Sequence, residues 1–458
     1  MNEPQASVDD RSFFGHPRGL AYLAFTEAWE RFSFSGMQTL LVLYMVGHLL
    51  LPGQIETVVG FEGLKRFLEM LYGELADQPL SSAVFGLYTG LVFFMPVFGG
   101  LLGDRWFGQH AMVMAGALLM TAGHFLMAFE ASFLAALALL ILGSGCLKGN
   151  ISKQVSSLYK DTDRRRTDGF QIFSMAINVG VIVAPLICGT LGELYGWHYG
   201  FGTAGIGMMI GLVIYIAGRR YLPPDSKLER TETKDPVFPR DRRLLLVLLL
   251  VFVMTTCFLV TAGQLGNVYN LWLRDHVDRS VGGLTIPITW FQSLTPLFSV
   301  AATPLLIRHW TRQAERNIEP ALFTKIGLGL LMGAGGLFLL GFLSLFEDID
   351  WWWILPTHVL TCLAYIFVYP VGLALFSRAA PAAARATYIG IFFLTSFVAS
   401  NLVGFTGGYY ATMSPAGFWA IHGCIGLGGA LLALVVGRPL AHVLHDHQEP
   451  SDADGQSR

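Results

Sequence analysis

The chain has 458 residues, of which 53% are hydrophobic and only 14% are charged, against roughly a quarter charged in a soluble globular domain. This excludes an ordinary soluble fold and a nucleic-acid-binding surface, and it points to an all-α membrane protein with lipid as its surroundings. The net charge of −2 decides nothing by itself, because the charges are unevenly placed along the chain.

Residues 1–19 are polar and carry no cleavable leader, so they are read as a cytoplasmic N-terminus. A membrane-crossing helix needs ~20 mainly apolar residues. By that measure about twelve spans are expected, at 20–50, 81–103, 110–129, 132–157, 170–193, 199–219, 244–272, 285–307, 321–345, 353–378, 385–411 and 415–440. The segment 51–80 reads as an external loop with a short helix near Gly63–Gly73. The stretch 220–243 is polar and proline-rich. It reads as a cytoplasmic linker between two six-helix halves, 20–219 and 244–440, and the polar residues 441–458 read as a cytoplasmic tail.

Lysine and arginine placement gives the orientation. Of the 30 such residues, 23 fall at the termini and alternate loops that share a side. Four (Lys65, Arg66, Arg274 and Arg279) fall opposite, and three (Arg31, Lys148 and Lys325) lie inside or at the edge of spans. Both termini are therefore expected in the cytoplasm.

The charges inside the spans carry the chemistry. Glu27, Glu30, Arg31, Phe34, Ser35 and Gln38 share one helical face, being 0, 3, 4, 7, 8 and 11 residues from the first. Lys148 adds a second cation from the fourth span, on a face with Ser144 and Ser152. An unpaired charge at the bilayer centre costs ~2.5–3.5 kcal/mol on insertion scales, so these groups are expected to have partners and a task. They suit a salt-bridge network that fastens helices. They also suit a proton site, in which Glu27 or Glu30 trades its cation for a proton when a substrate carboxylate claims Lys148. No acidic residue falls inside a span between 244 and 440, which confines the titratable chemistry to the first half. Asp104-Arg105, between glycines, suits a latch or an ordinary charged loop.

The five cysteines lie in apolar stretches and read as small buried side chains. His124, His358 and His422 read as satisfied core residues. No metal-ligand spacing, phosphate loop or nucleophile–base pattern is present, so an enzyme is not expected. The central loop and tail are too short for a signalling domain, so a receptor is not expected either.

Glu27-Ala-Trp-Glu30-Arg31-Phe32 followed by Gly36 resembles the first signature of the proton-dependent oligopeptide transporter family, within the major facilitator superfamily. Residues 143–202 resemble its longest signature, through Gly143–Lys148, Asn150, the loop Asp163–Gly169, Phe170, Phe173, Asn178, Ala184-Pro185 and Gly196-Trp197-His198. Phe291-Gln292-Ser293-Leu294 with Pro296, and Pro370-Val371-Gly372-Leu373, are similar to later landmarks. The resemblance runs from about residue 25 to 410. It implies the major facilitator fold without the extra helix pair that many bacterial members carry. It also implies a bacterial inner-membrane symporter that acts as a monomer among membrane lipids, with protons as coupling ion, no cofactor, and a small peptide or peptide-like carboxylate as substrate. Glu27, Glu30, Arg31 and Lys148 would couple the proton. Lys148, Asn178, Phe34, Ser35, Gln38, Gln292, Tyr365, Gln264 and Asn267 would bind substrate.

The chain departs from the family pattern at four places. Phe34-Ser35 stand for two tyrosines, Gln38 for an arginine, Gly263 for a seventh-helix glutamate, and Tyr365 for the glutamate that takes a peptide's amino group. These departures open a second expectation, a non-peptide organic anion or modified amino acid as substrate.

Overall fold

The computed structural model describes residues 10–160, 162–225, 242–380 and 385–446. The expected N-terminal segment 1–9, most of the linker and the end of the tail lie outside them. The first set of helices is α1 (Arg18–Tyr44), α2 (Phe61–Tyr72), α3 (Asp77–Leu102), α4 (Gln109–Leu126), α5 (Phe133–Ser157), α6 (Arg165–Ala184), α7 (Thr190–Tyr195) and α8 (Trp197–Gly218). The second is α9 (Arg242–Gly263), α10 (Tyr269–His276), α11 (Leu294–Glu315), α12 (Leu322–Leu343), α13 (Leu355–Ala379), α14 (Arg385–Gly407) and α15 (Pro415–Asp446). Among the described residues, 11 helical segments are long and apolar enough to cross a membrane. The third expected span is α4, a helix of 18 residues that packs between α5 and α8.

Three expectations shift. The seventh span is expected over 244–272, but α9 ends at Gly263. The chain passes through the tight turns Gln264–Val268 and restarts as α10. Gly263, Gly266 and Asn267 are turn formers that apolar flanks concealed. The fifth span continues past α6 through a π-turn, Pro185–Gly189, into α7. The eighth opens as a 3₁₀ turn, Ile288–Ser293, and α11 then runs on to Glu315, because a helix whose charged end has left the lipid need not stop there. The short loop helix is α2.

Helices α1 to α8 form one bundle and α9 to α15 the other. Neither bundle has water-driven burial to hold it in lipid, so close backbone approach at small residues does much of the fastening. At Gly180 a Cβ would stand 2.2 Å from the carbonyl oxygen of Ala28, which is why α6 can lie directly on α1.

At the end of the molecule that carries Arg18, Lys153 and Arg165, the segment before α1 is strapped to the α5–α6 loop. His16 Nδ1 meets the Tyr159 hydroxyl at 2.9 Å, and Arg165 donates to the carbonyl of Gly15 at 3.1 Å. The Arg165 guanidinium also grips Asp163 and holds that carboxyl below its ordinary range. This is the basic end. At the opposite end, a hairpin of β1 (Ser280–Val281) with β2 (Leu284–Thr285) turns through Gly282 and Gly283 at φ 57° and 84°. Those are left-handed values that glycine adopts without strain.

Candidate functional site

The two bundles meet most tightly at the opposite end. Glu193, on α7, accepts the backbone N–H of Ile288 and Thr289, each at 2.8 Å, and the Thr289 hydroxyl at 2.6 Å. Trp290 donates to Thr190 Oγ1, Ser293 to the carbonyl of Ile182, and Asn270 to that of Thr39. Beside them α3 crosses α14. A Cβ at Gly86 would lie 2.6 Å from the Ser400 carbonyl, and Gln78 donates to the carbonyl of Gly407 at 3.1 Å. Hydrogen bonds to a charged acceptor contribute ~1.5–3 kcal/mol each. Glu193→Ala is therefore expected to shift the balance toward an arrangement with this end apart by about 100-fold. The check is the distance distribution between spin labels on Leu194→Cys and Val281→Cys, which broadens to longer values.

Above this closed end the bundles enclose a cavity of about 370 Å³, with an adjoining one of about 210 Å³ that shares Phe258, Ala262, Gly266, Gln292 and Tyr365. Small-molecule sites span roughly 300–1,000 Å³. The first bundle contributes Ser35, Gln38 and Thr39 from α1 and Phe85, Thr89 and Phe93 from α3. The second contributes Phe258, Ala262, Gln292, Tyr365, Tyr369 and Ser396, among others. Among the described lining residues none is charged. Tyr365 lies parallel to Tyr369, with centroids 5.5 Å apart and planes at 12°, so the two present one aromatic face. Gly263 also lines the cavity. Any Cβ there would press on Val403 at 2.5 Å, so the wall is closed where the family carries a carboxylate.

The charges sit one layer back. Arg31 bridges Glu30 and Glu27, the latter at 3.2 Å, and both carboxylates are buried. Lys148 Nζ is shut off from solvent and has no hydrogen-bond partner among the described residues. It stands 4.5 Å from the centre of the Phe34 ring and 5.3 Å from that of Phe93. The Arg31 guanidinium covers Phe34 at 5.5 Å, and Tyr88 stacks on the same ring. The phenylalanine at position 34 therefore shares π density between two cations. Phe93 faces the cavity and also Lys148, so a single aromatic ring separates the free ammonium from the space where a ligand fits.

Of the expected site residues, Ser35, Gln38, Gln292 and Tyr365 line the cavity. Gln292 is oriented by donating to Asn270 Oδ1 at 2.7 Å and to the Leu265 carbonyl. Lys148 and Phe34 lie behind the wall, with Glu27, Glu30 and Arg31. Asn178 is not at the cavity, and its amide donates back to the Ser174 carbonyl at 3.0 Å. Gln264 and Asn267, also expected to bind substrate, do not line the cavity. Both are fully buried and committed to pinning the α9–α10 turn to α14. Gln264 reaches Val403 O, Thr406 and His422, and Asn267 reaches Gln264, Val403 O and Ser82. The turn carbonyl of Leu265, which has left the helix, is met by Gln292 instead.

Phe85, Thr89, Phe93, Phe258, Tyr369 and Ser396 are lining residues that no local pattern announces. A group of metal-ligating type, His48, Glu130 and His198, also comes together, against the expectation of no such cluster. Its members are too far apart in sequence for any spacing signal.

A family model described as the POT family matches residues 110–227 and 226–417. "Uncharacterized transporter YclF" of Bacillus subtilis (strain 168) is 30% identical, over 96% of this chain and 98% of its own. "Peptide transporter YePEPT" of Yersinia enterocolitica subsp. palearctica serotype O:3 is 29% identical, over 87% of this chain and 89% of its own. The crystal structure of a mutant of peptide transporter POT in complex with alafosfalin superposes with a TM-score of 0.82 at 28% identity, covering 96% of this chain and 99% of that one. Such relatives are transporters, not enzymes, and the major facilitator arrangement of two helical bundles is theirs too. The chain is an integral membrane protein of the POT family, the proton-dependent oligopeptide transporters.

Proposed function

We propose that the protein is a proton-coupled symporter that takes up small peptides, di- or tripeptides, or peptide-like carboxylates by alternating access. The observation that carries this reading is the free, solvent-shielded ammonium of Lys148, one ring behind the cavity and within electrostatic reach of Arg31, Glu30 and Glu27. A carboxylate in the cavity draws Lys148 past Phe93. The acidic pair then faces one cation where it faced two, and a proton on Glu27 or Glu30 restores the balance. Gln38, Gln292 and Ser35 offer hydrogen bonds to the peptide backbone, and the Tyr365–Tyr369 face takes the amino end by cation–π contact. Asn178 lies one turn from Val181, which lines the cavity from α6, and would join by releasing the Ser174 carbonyl.

The surrounding assignments follow the same reading. The basic end faces the cytoplasm of a bacterial cell, with both termini there, and the inner membrane is the location. The halves 20–219 and 244–440 rock about the cavity, and the arrangement with the opposite end closed is the inward-facing one. A monomer suffices, because every group named comes from one chain. Protons are the coupling ion, no cofactor is required, and lipids are the remaining partners. A membrane potential adds about 2.3 kcal/mol per charge per 100 mV to inward proton movement.

One observation favours a second reading. No charged residue among those described lines the cavity, and Tyr365 and Gly263 replace the family's carboxylates, which suits a non-peptide organic anion or a modified amino acid without an ammonium to anchor. Competition distinguishes the two. Against labelled dialanine, di- and tripeptides are expected to compete and to raise the protein's melting temperature. Absence of both effects would transfer the assignment to the second substrate class.

A further inference from the structure

At the opposite rim of the first bundle, three segments far apart in the sequence converge. His48 lies in the π-turn Met45–Leu49 that ends α1, Glu130 opens the turn Glu130–Ser132 before α5, and His198 is the second residue of α8. The Nε2 atoms of His48 and His198 stand 3.0 and 3.3 Å from the same carboxylate oxygen, Glu130 Oε1. The three donor atoms lie within 4.8 Å of one another. The two rings meet at 86° with centroids 6.1 Å apart, so their nitrogens converge on one point instead of stacking.

The geometry points to a binding site for a late first-row divalent cation, Zn²⁺ in first place, held by His48 Nε2, His198 Nε2 and Glu130 Oε1. Donors in a tetrahedral zinc site sit about 2.0–2.2 Å from the ion, which sets neighbouring donors roughly 3.4 Å apart. The two separations from Glu130 already fall close to that value. Two imidazoles and one carboxylate leave a fourth position for water. The side chains of His198, His48 and Glu130 are 46%, 28% and 24% exposed, so ion and water reach the site from solvent. Mg²⁺ and Ca²⁺ prefer shells of oxygen alone, and two imidazoles discriminate against them.

The rear of the site is an aromatic wall. The Tyr44 ring lies 5.6 Å from that of His48, with Phe133 and Trp197 at 6.2 and 6.1 Å from Tyr44. This wall limits how far the His48 ring turns and shields one side of the ion from water. The Tyr44 hydroxyl is buried there without a hydrogen-bond partner among the described residues. All three ligands belong to the first bundle. A bound ion therefore braces its rim next to the Gly196–Trp197 corner without tying one half to the other, and it leaves the rocking motion free.

The test uses the full chain without an affinity tag, stripped with chelator and titrated with ZnCl₂. Bound zinc is measured by elemental analysis after gel filtration, and thermal unfolding is followed in parallel. The expected result is one zinc per chain and a raised melting temperature, with no response to Mg²⁺. His198→Ala, at an exposed ring, and Glu130→Gln, which keeps the shape, each weaken binding at least tenfold while the zinc-free melting temperature stays unchanged. Wild-type protein that retains no stoichiometric zinc would overturn the site and leave a hydrogen-bonded His–Glu–His cluster. Zinc binding that survives both substitutions would overturn it as well, since the ion would then sit elsewhere.

Discussion

Lys148→Ala is expected to lower proton-driven uptake by about 100-fold or more, in a protein that folds at least as well as the wild type. The loss follows from leaving a substrate carboxylate in an uncharged cavity without its cation, a penalty of ~3–5 kcal/mol for one half of a buried pair. Lys148 has no hydrogen-bond partner among the described residues and is offset only by two phenylalanine faces and the more distant carboxylates. Its burial is therefore a cost to folding, and Lys148→Met should hold or raise the melting temperature while abolishing transport. A Lys148 that only fastened helices would give the reverse pattern, a lower melting temperature with uptake retained. Initial rates in proteoliposomes together with thermal unfolding of the same preparations distinguish the two.

Glutamine at Glu27 or Glu30 gives the second large effect. Each substitution preserves shape and removes the ability to alternate between carboxylate and acid. Wild-type uptake rises as the external side is acidified. In the variant that lacks the proton carrier that dependence flattens, and gradient-driven accumulation falls to the equilibrium level, while exchange of labelled for unlabelled peptide continues. The other variant keeps the pH dependence with a weaker hold on Arg31. If both variants still concentrate substrate in a pH-dependent manner, the proton travels by a route that does not involve this pair.

What the sequence makes legible here has a physical boundary. The spans, the orientation and the charged face of α1 depend on local properties: hydropathy over some twenty residues, cation placement, and offsets of three and four. The apolar spans and the shared helical face survive in the structure, and α1 does bring Glu27, Glu30 and Arg31 together. The features that were not legible depend on which helices touch. Whether Lys148 meets the cavity directly or through Phe93 is decided by how α3 lies on α5, and nothing in either helix alone encodes it. Gln264 and Asn267 match a binding motif by spacing, but the break after Gly263 turns their amides to structural use. His48, Glu130 and His198 meet only because α1, α5 and α8 bring their ends to one rim.

The departures at Gly263 and Tyr365 were visible as letters, and the structure gives them a consequence. With Val403 2.5 Å from any Cβ at position 263, the wall is filled. The cavity is left to recognise its ligand by shape, hydrogen bonds and one aromatic face, with its charges held in reserve behind Phe34 and Phe93. A substrate that brings its own carboxylate therefore adds a negative charge to a set that is balanced at rest, and a proton on Glu27 or Glu30 restores that balance.

The most direct measurement is accumulation of labelled dialanine in proteoliposomes with an inward proton gradient, with and without a protonophore. The account predicts uptake above the equilibrium level that collapses when the protonophore is added. Uptake that stops at the equilibrium level and is indifferent to the protonophore, from protein shown to be folded, would contradict proton-coupled transport.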